Sequence, residues 1–174
     1  IMTLFGYAAS DEQSLNLLPS FLDGLLAASD PRFVLVDGQE GSYYAKDKTT
    51  FANWYGRMRG SKGIAFKLCG EKERWAKQGQ AGFGLYVTAE RNGAWQSQTD
   101  LLDMNYFNPA DFKRALTNAA NQSDRYVWLY TEAAGWLDSS SDWYPYNMAR
   151  LYMNIISDVP GVPYNPTPEA LAAM

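Results

Sequence analysis

Acidic residues stand where two apolar, β-type runs end. Phe33-Val34-Leu35-Val36 leads into Asp37-Gly38-Gln39-Glu40, and Arg125-Tyr126-Val127-Trp128-Leu129-Tyr130-Thr131 leads into Glu132. Ligands of parallel α/β folds bind at the C-terminal ends of strands, which makes Asp37, Glu40 and Glu132 the candidates for chemistry. A pair of carboxylates across a cleft suits cleavage of a glycosidic bond, one protonated to donate and one ionised to attack or to activate water. In this reading Glu40 and Glu132 are the acid and the nucleophile or base, in unassigned order, within roughly 10 Å of each other. Asp37 would modulate their pKa. The competing reading of each acid is a helix cap or a solvated side chain.

Aromatic residues accompany both acids. Tyr43 and Tyr44 follow Glu40, Trp128 and Tyr130 precede Glu132, and Trp136 follows it. With 6 Trp, 12 Tyr and 8 Phe, aromatics make up 15% of the chain. Such rings fill cores, yet Tyr and Trp in a cleft also offer flat apolar faces with polar tips on which a sugar ring stacks. Lys46 and Arg57 either orient a carboxylate or lie in water. Histidine is absent, which removes His-dependent serine triads and His-bound zinc. Cys69, the lone cysteine, has no partner for an intrachain disulfide. No metal and no cofactor are expected.

The elements that must position these residues alternate. Ile1 to Tyr7 reads as a short buried strand, and Leu15, Leu18, Phe21, Leu22, Leu25 and Leu26 recur at helical spacing with Pro19 in the first turn. Phe33 to Val36 is a second strand, and Thr50 to Met58 a helix behind the polar cluster Asp47-Lys48-Thr49-Thr50. Ile64 to Lys77 reads as a helix interrupted at Gly70, and Gly82 to Val87 as the third strand. Asn108-Pro109 is a cap followed by proline at the first helical position, with Phe112, Ala115, Leu116 and Ala119 on the buried stripe. Along the fourth strand, Arg125 to Glu132, the residues Tyr126, Trp128, Tyr130 and Glu132 share one face and Val127, Leu129 and Thr131 the other. A last helix, Pro145 to Ser157, precedes a Pro-rich tail, 159–174.

This order predicts an α/β fold with a parallel sheet and right-handed crossovers, in one domain. Four units in 174 residues leave about 43 residues each against the roughly 31 of a typical (βα)₈ barrel. Insertions between Cys69 and Gly82 and between Ala89 and Asn108 would absorb the difference as loops.

Several segments then converge on a resemblance. Phe21-Leu22-Asp23-Gly24-Leu25-Leu26, Val36 to Tyr44, Gln80 to Leu85, Tyr106 to Phe112 and Ser123 to Glu132 resemble, in this order, the C-terminal half of a group of bacterial barrel proteins similar to glycoside hydrolases. The similarity runs from about Thr3 to Tyr152. It implies half of a TIM (βα)₈ barrel, carbohydrate processing with no assigned substrate, and extracellular or periplasmic residence. It draws attention to Asp37, Glu40, Tyr43, Tyr44, Trp128, Tyr130, Glu132 and Trp136. One departure is Trp136-Leu137, where such proteins usually carry Trp-Trp.

Nothing resembling the first four barrel strands precedes Ile1, so the chain is expected to be a piece of a longer product. A half barrel leaves two sheet edges open, and Tyr126, Trp128 and Tyr130 would lie bare unless a second copy of this chain or the missing half covers them. The partners expected are therefore a carbohydrate and either a homo-oligomer or that missing half. Nucleic acid is discounted, because the net charge is -4 and the 15 basic residues are scattered. A membrane is discounted as well, because no run approaches roughly 18 apolar residues. No basic n-region followed by an apolar run opens the chain, so no signal peptide is expected. An alternative of another class is a non-catalytic carbohydrate-binding or assembly subunit that keeps the aromatic cleft. A flavodoxin-type sheet shares the alternation but would need a Gly-rich phosphate loop that is absent here.

Overall fold

The computed structural model describes residues 17–61, 63, 66, 67, 69–89, 95, 96, 100–132 and 150–159. The helices are α1 (Leu17–Ala28), α2 (Lys48–Arg59), α3 (Lys72–Gln78), α4 (Pro109–Gln122) and α5 (Arg150–Asp158). Three strands, β1 (Leu35–Gln39), β2 (Gly79–Tyr86) and β3 (Val127–Tyr130), form one parallel sheet in the order β1-β2-β3. The chain is thus mixed α/β with alternating strands and helices, as the periodicities require. The strand expected at Ile1 to Tyr7 lies outside the described residues, as do Trp136, the start of the last helix and nearly all of the Pro-rich tail.

Local chemistry sets the helix starts. The Asp47 carboxylate accepts the Thr50 backbone N–H at 2.9 Å and the Thr50 hydroxyl at 2.7 Å, closing the first turn of α2. Asn108 accepts the Asp111 N–H at 2.9 Å ahead of Pro109, which begins α4. Before α3 the cap is non-local: Asp23 of α1 accepts the N–H groups of Gly70 at 2.8 Å and Glu71 at 3.0 Å. These bonds hold the Asp23 carboxyl below its usual range, although partial burial opposes them as the largest single influence.

Several boundaries differ from the expectation: β3 covers only Val127–Tyr130 of the expected Arg125 to Glu132, and α2 starts at Lys48 rather than Thr50. β1 begins at Leu35 and runs through Asp37 to Gln39, so Asp37 lies inside the strand rather than after it. β2 begins at Gly79, directly after α3 ends at Gln78, which leaves no loop insertion between Cys69 and Gly82 beyond the turn at Gly70. Pairing with Leu35 and Val36 carries β2 back to Gly79, and pairing of Asp37 with Ala81 through Gln39 with Phe83 carries β1 past its apolar run, since ladder bonds depend on the neighbour and not on local propensity. The stretch from Ala89 to Asn108 is not a solvated loop where it is described. Trp95, Leu102 and Phe107 are buried in the core, and Asn105 donates to the Tyr152 hydroxyl.

The two faces of the sheet follow from strand alternation. Ala81, Phe83 and Leu85 of β2, with Val127 and Leu129 of β3, pack into one cluster with Phe51 and Met58 of α2, Phe112 and Leu116 of α4, and Tyr152 and Ile156 of α5. A second cluster joins Leu35 to Leu22 and Leu26 of α1, Cys69 and Trp75. These are the helix-covered side. Val36, Gly82, Gly84 and Trp128 lie on the other side, where a Cβ added at Gly82 would meet Val36 at 2.8 Å and Trp128 at 3.1 Å.

Candidate functional site

The site is built where β2 and β3 end, on the face that carries no helix among the described residues. Parallel register places Tyr86 beside Tyr130, so two phenols of equal reach point the same way. Glu132 lies two residues beyond Tyr130, on the same side of the strand. Tyr86 donates its hydroxyl to Glu132 Oε2 at 2.6 Å, and Tyr130 donates to Oε1 at 2.7 Å. The Glu132 backbone N–H donates to the buried Thr88 hydroxyl at 3.1 Å. Both carboxylate oxygens and the main chain of Glu132 are therefore held.

The segment after β1 supplies the other rings. Ser42 is buried and donates to the Gly84 carbonyl at 3.2 Å, while the Tyr86 N–H donates to the Tyr43 carbonyl at 3.0 Å. This lays Tyr43 over β2. Its ring stacks on Tyr130 with centroids 5.5 Å apart and planes 17° from parallel. Glycine is required beneath it: a Cβ at Gly84 would collide with the Tyr43 ring and come within 2.6 Å of Trp128 Nε1. Tyr44, 53% exposed, meets Tyr86 and Tyr106 edge-on at 6.0 and 5.7 Å. Tyr106 donates to the Tyr44 carbonyl at 2.8 Å, and Lys46 lies 4.0 Å from the centre of the Tyr106 ring while pairing with Asp111 at 2.8 Å. Lys46 thus supports Tyr106 from behind rather than orienting a strand-end carboxylate, and Arg57 rests on Trp54.

The electrostatics separate the three acids. Hydrogen bonds from Tyr86 and then Tyr130 hold the Glu132 carboxyl below the usual glutamate range, because both stabilise the charged form. Tyr130 is pushed up, first by its bond to Glu132 and to a lesser degree by the charge of Glu40, so the two glutamates act on one phenol. Tyr86 is pushed up by burial and by Glu132. Glu40 is exposed and opens a short 3₁₀ turn, Glu40–Ser42. Asp37 is elsewhere. It is only 1% exposed, pairs with Ala81 in the register, and alternation turns it to the helix-covered side. Its oxygens have no hydrogen-bond partner among the described residues, and burial pushes its carboxyl up to about 7.

Of the residues singled out from the sequence, the fold gathers Tyr43, Tyr44, Trp128, Tyr130, Glu132 and Glu40 on one side and turns Asp37 away. Trp136 lies outside the described residues. Tyr86, Tyr106, Thr88, Gly82 and Gly84 were not among those candidates. The parity of Gly82, Gly84 and Tyr86 along the third strand was the available signal, two bare positions followed by a phenol on one face. Among the described residues no group of three or more metal-ligating side chains forms, and no helix is long and apolar enough to cross a membrane.

Fold and site together define a parallel α/β protein with a tyrosine-lined, carboxylate-bearing face at the strand ends. No family model matches the chain, and no curated protein or solved structure matches it either.

Proposed function

We propose that this chain is a glycoside hydrolase-like, carbohydrate-active protein, with sugar rings lying against the tyrosine face and strand-end glutamates carrying the acid–base work. One observation carries the reading. Glu132 is presented at the end of β3 with each of its oxygens hydrogen-bonded by a phenol, from Tyr86 and Tyr130, and those two rings are continuous with Tyr43, Tyr44 and Tyr106. Tyrosines offer apolar faces to the C–H side of a pyranose and hydroxyls to its rim, while an ionised carboxylate at the same place can attack an anomeric carbon or activate water. The parallel strand–helix succession supports reading the chain as about four units of a (βα)₈ barrel, its helix-free face being the barrel interior. The missing half or a second copy of the chain would then cover Trp128 and the exposed Tyr126.

A second reading is a non-catalytic carbohydrate-binding or assembly subunit. Asp37 faces away from the cluster, which removes one of the acids expected to tune the others. The test is reducing-sugar release from a panel of oligosaccharides, with binding followed by calorimetry. For the hydrolase, wild type releases product and Glu132→Gln loses turnover while retaining affinity. Binding without any turnover selects the second reading, and absence of binding to the whole panel sinks both.

A further inference from the structure

We infer that Tyr86 and Tyr130 are positioning residues that occupy both oxygens of Glu132, giving Glu132 the part of electron-pair donor, nucleophile or general base, and leaving the proton donor to another group. The inference rests on the hydrolase reading and adds an order of roles to it.

An ionised carboxylate only accepts, whereas a protonated one turns one oxygen chiefly into a donor. Here each oxygen already receives a phenol proton, at 2.6 Å from Tyr86 and 2.7 Å from Tyr130. Protonating Glu132 would reverse one of these bonds, making that phenol an acceptor, so only the ionised carboxylate keeps both donations. The rings that carry these hydroxyls are held in place: Tyr130 packs against Tyr43 at 5.5 Å and Tyr86 at 5.0 Å, and Tyr86 meets Tyr44 at 6.0 Å. The main chain is pinned too, with the Val87 N–H on the Tyr130 carbonyl at 2.9 Å and the Glu132 N–H on Thr88. Both phenols are pushed to higher pKa, so they remain donors when Glu132 is ionised.

As nucleophile, a Glu132 oxygen forms a bond to the anomeric carbon while the glycosidic C–O bond breaks, and the departing oxygen takes a proton from the separate acid. As base, Glu132 takes a proton from a water whose oxygen bonds that carbon as the same C–O bond breaks.

Two measurements on the full chain test this. In the first, Glu132→Ala is assayed on aryl glycosides with an activated leaving group. A fall of about 10²–10⁴-fold that azide restores is expected. Turnover that persists on the activated glycoside but is lost on a poor leaving group would make Glu132 the proton donor and overturn the assignment. In the second, the Glu132 carboxyl is titrated by ¹³C NMR in wild type, Tyr86→Phe and Tyr130→Phe. The midpoint rises in each variant if the phenols hold the carboxylate, and an unmoved midpoint shows that they do not. A wild type that binds sugars but turns over none removes the hydrolase reading and the role with it, while the titration still decides the clamp.

Discussion

The two faces of the sheet are made from the same three strands yet follow opposite chemistry. On the helix-covered face Ala81, Phe83 and Leu85 are fully buried against Phe51, Met58, Phe112 and Leu116, with almost no polar atom among them. On the other face the same strand places Gly82, Gly84 and Tyr86; Tyr43 and Trp128 lie over Gly84, and Tyr86 and Tyr130 turn their hydroxyls to Glu132. One face is filled by shape alone and holds the fold together. The other gives up side-chain volume at two glycines so that rings from distant segments can lie flat and present hydroxyls. The apolar core and the tyrosine cluster are thus separated by a single residue step along β2.

The largest expected effect comes from breaking the covered face. Phe83→Ala removes a fully buried ring that meets Phe51 at 5.1 Å, and unfolding in urea should show a loss of about 3–5 kcal/mol. A loss well under 1 kcal/mol would mean that this face is not the core.

Asp37 is the exception on that face and sharpens the contrast. Its folded-state pKa is raised from 3.8 to about 7, so the native state binds the proton more tightly than the unfolded chain does. Its contribution to stability is therefore most favourable below about pH 3.8, erodes as pH rises toward about 7, and levels off above it. The shift corresponds to roughly 4 kcal/mol of penalty on the charged form, partly replaced in Asp37→Asn by the ~1–3 kcal/mol of an unpaired buried amide. Asp37→Asn should accordingly be more stable than wild type by about 1–3 kcal/mol at pH 9, with the difference shrinking as pH falls below 7. Denaturation curves at pH 5 and pH 9 give the answer, and a gap of the same size at both would contradict it.

On the open face, Gly84→Ala inserts a methyl where Tyr43 and Trp128 already lie. A loss of about 1–3 kcal/mol is expected, together with a change in near-ultraviolet circular dichroism as the rings are displaced. Wild-type spectra would mean that Tyr43 and Trp128 do not rest on β2.

The smallest effect on stability belongs to Tyr86→Phe. The lost hydroxyl touches an exposed carboxylate, so the denaturation midpoint should stay within error of wild type while turnover falls several-fold and oligosaccharide affinity is retained. Unchanged turnover would remove Tyr86 from the site.

Much of this was legible in consecutive residues. The cap at Asn108, the polar cluster ahead of α2, the buried stripe of α4 and the opposition of Trp128 and Tyr130 to Val127 and Leu129 depend on chemistry within a few positions, where helix and strand periods act. What sequence reading missed is non-local. Asp37 looked like a strand-end acid because the apolar run stops at Val36, but pairing with β2 carried the strand onward and turned the carboxyl inward. Tyr86 became a site residue only because parallel register set it beside Tyr130, across 46 residues from Glu132. Gly84 matters because Tyr43 and Trp128, from two other segments, meet above it. Composition and period determine which element a segment makes and which residues share a face. Register and packing alone decide which faces meet, because those bonds join residues that no local period connects.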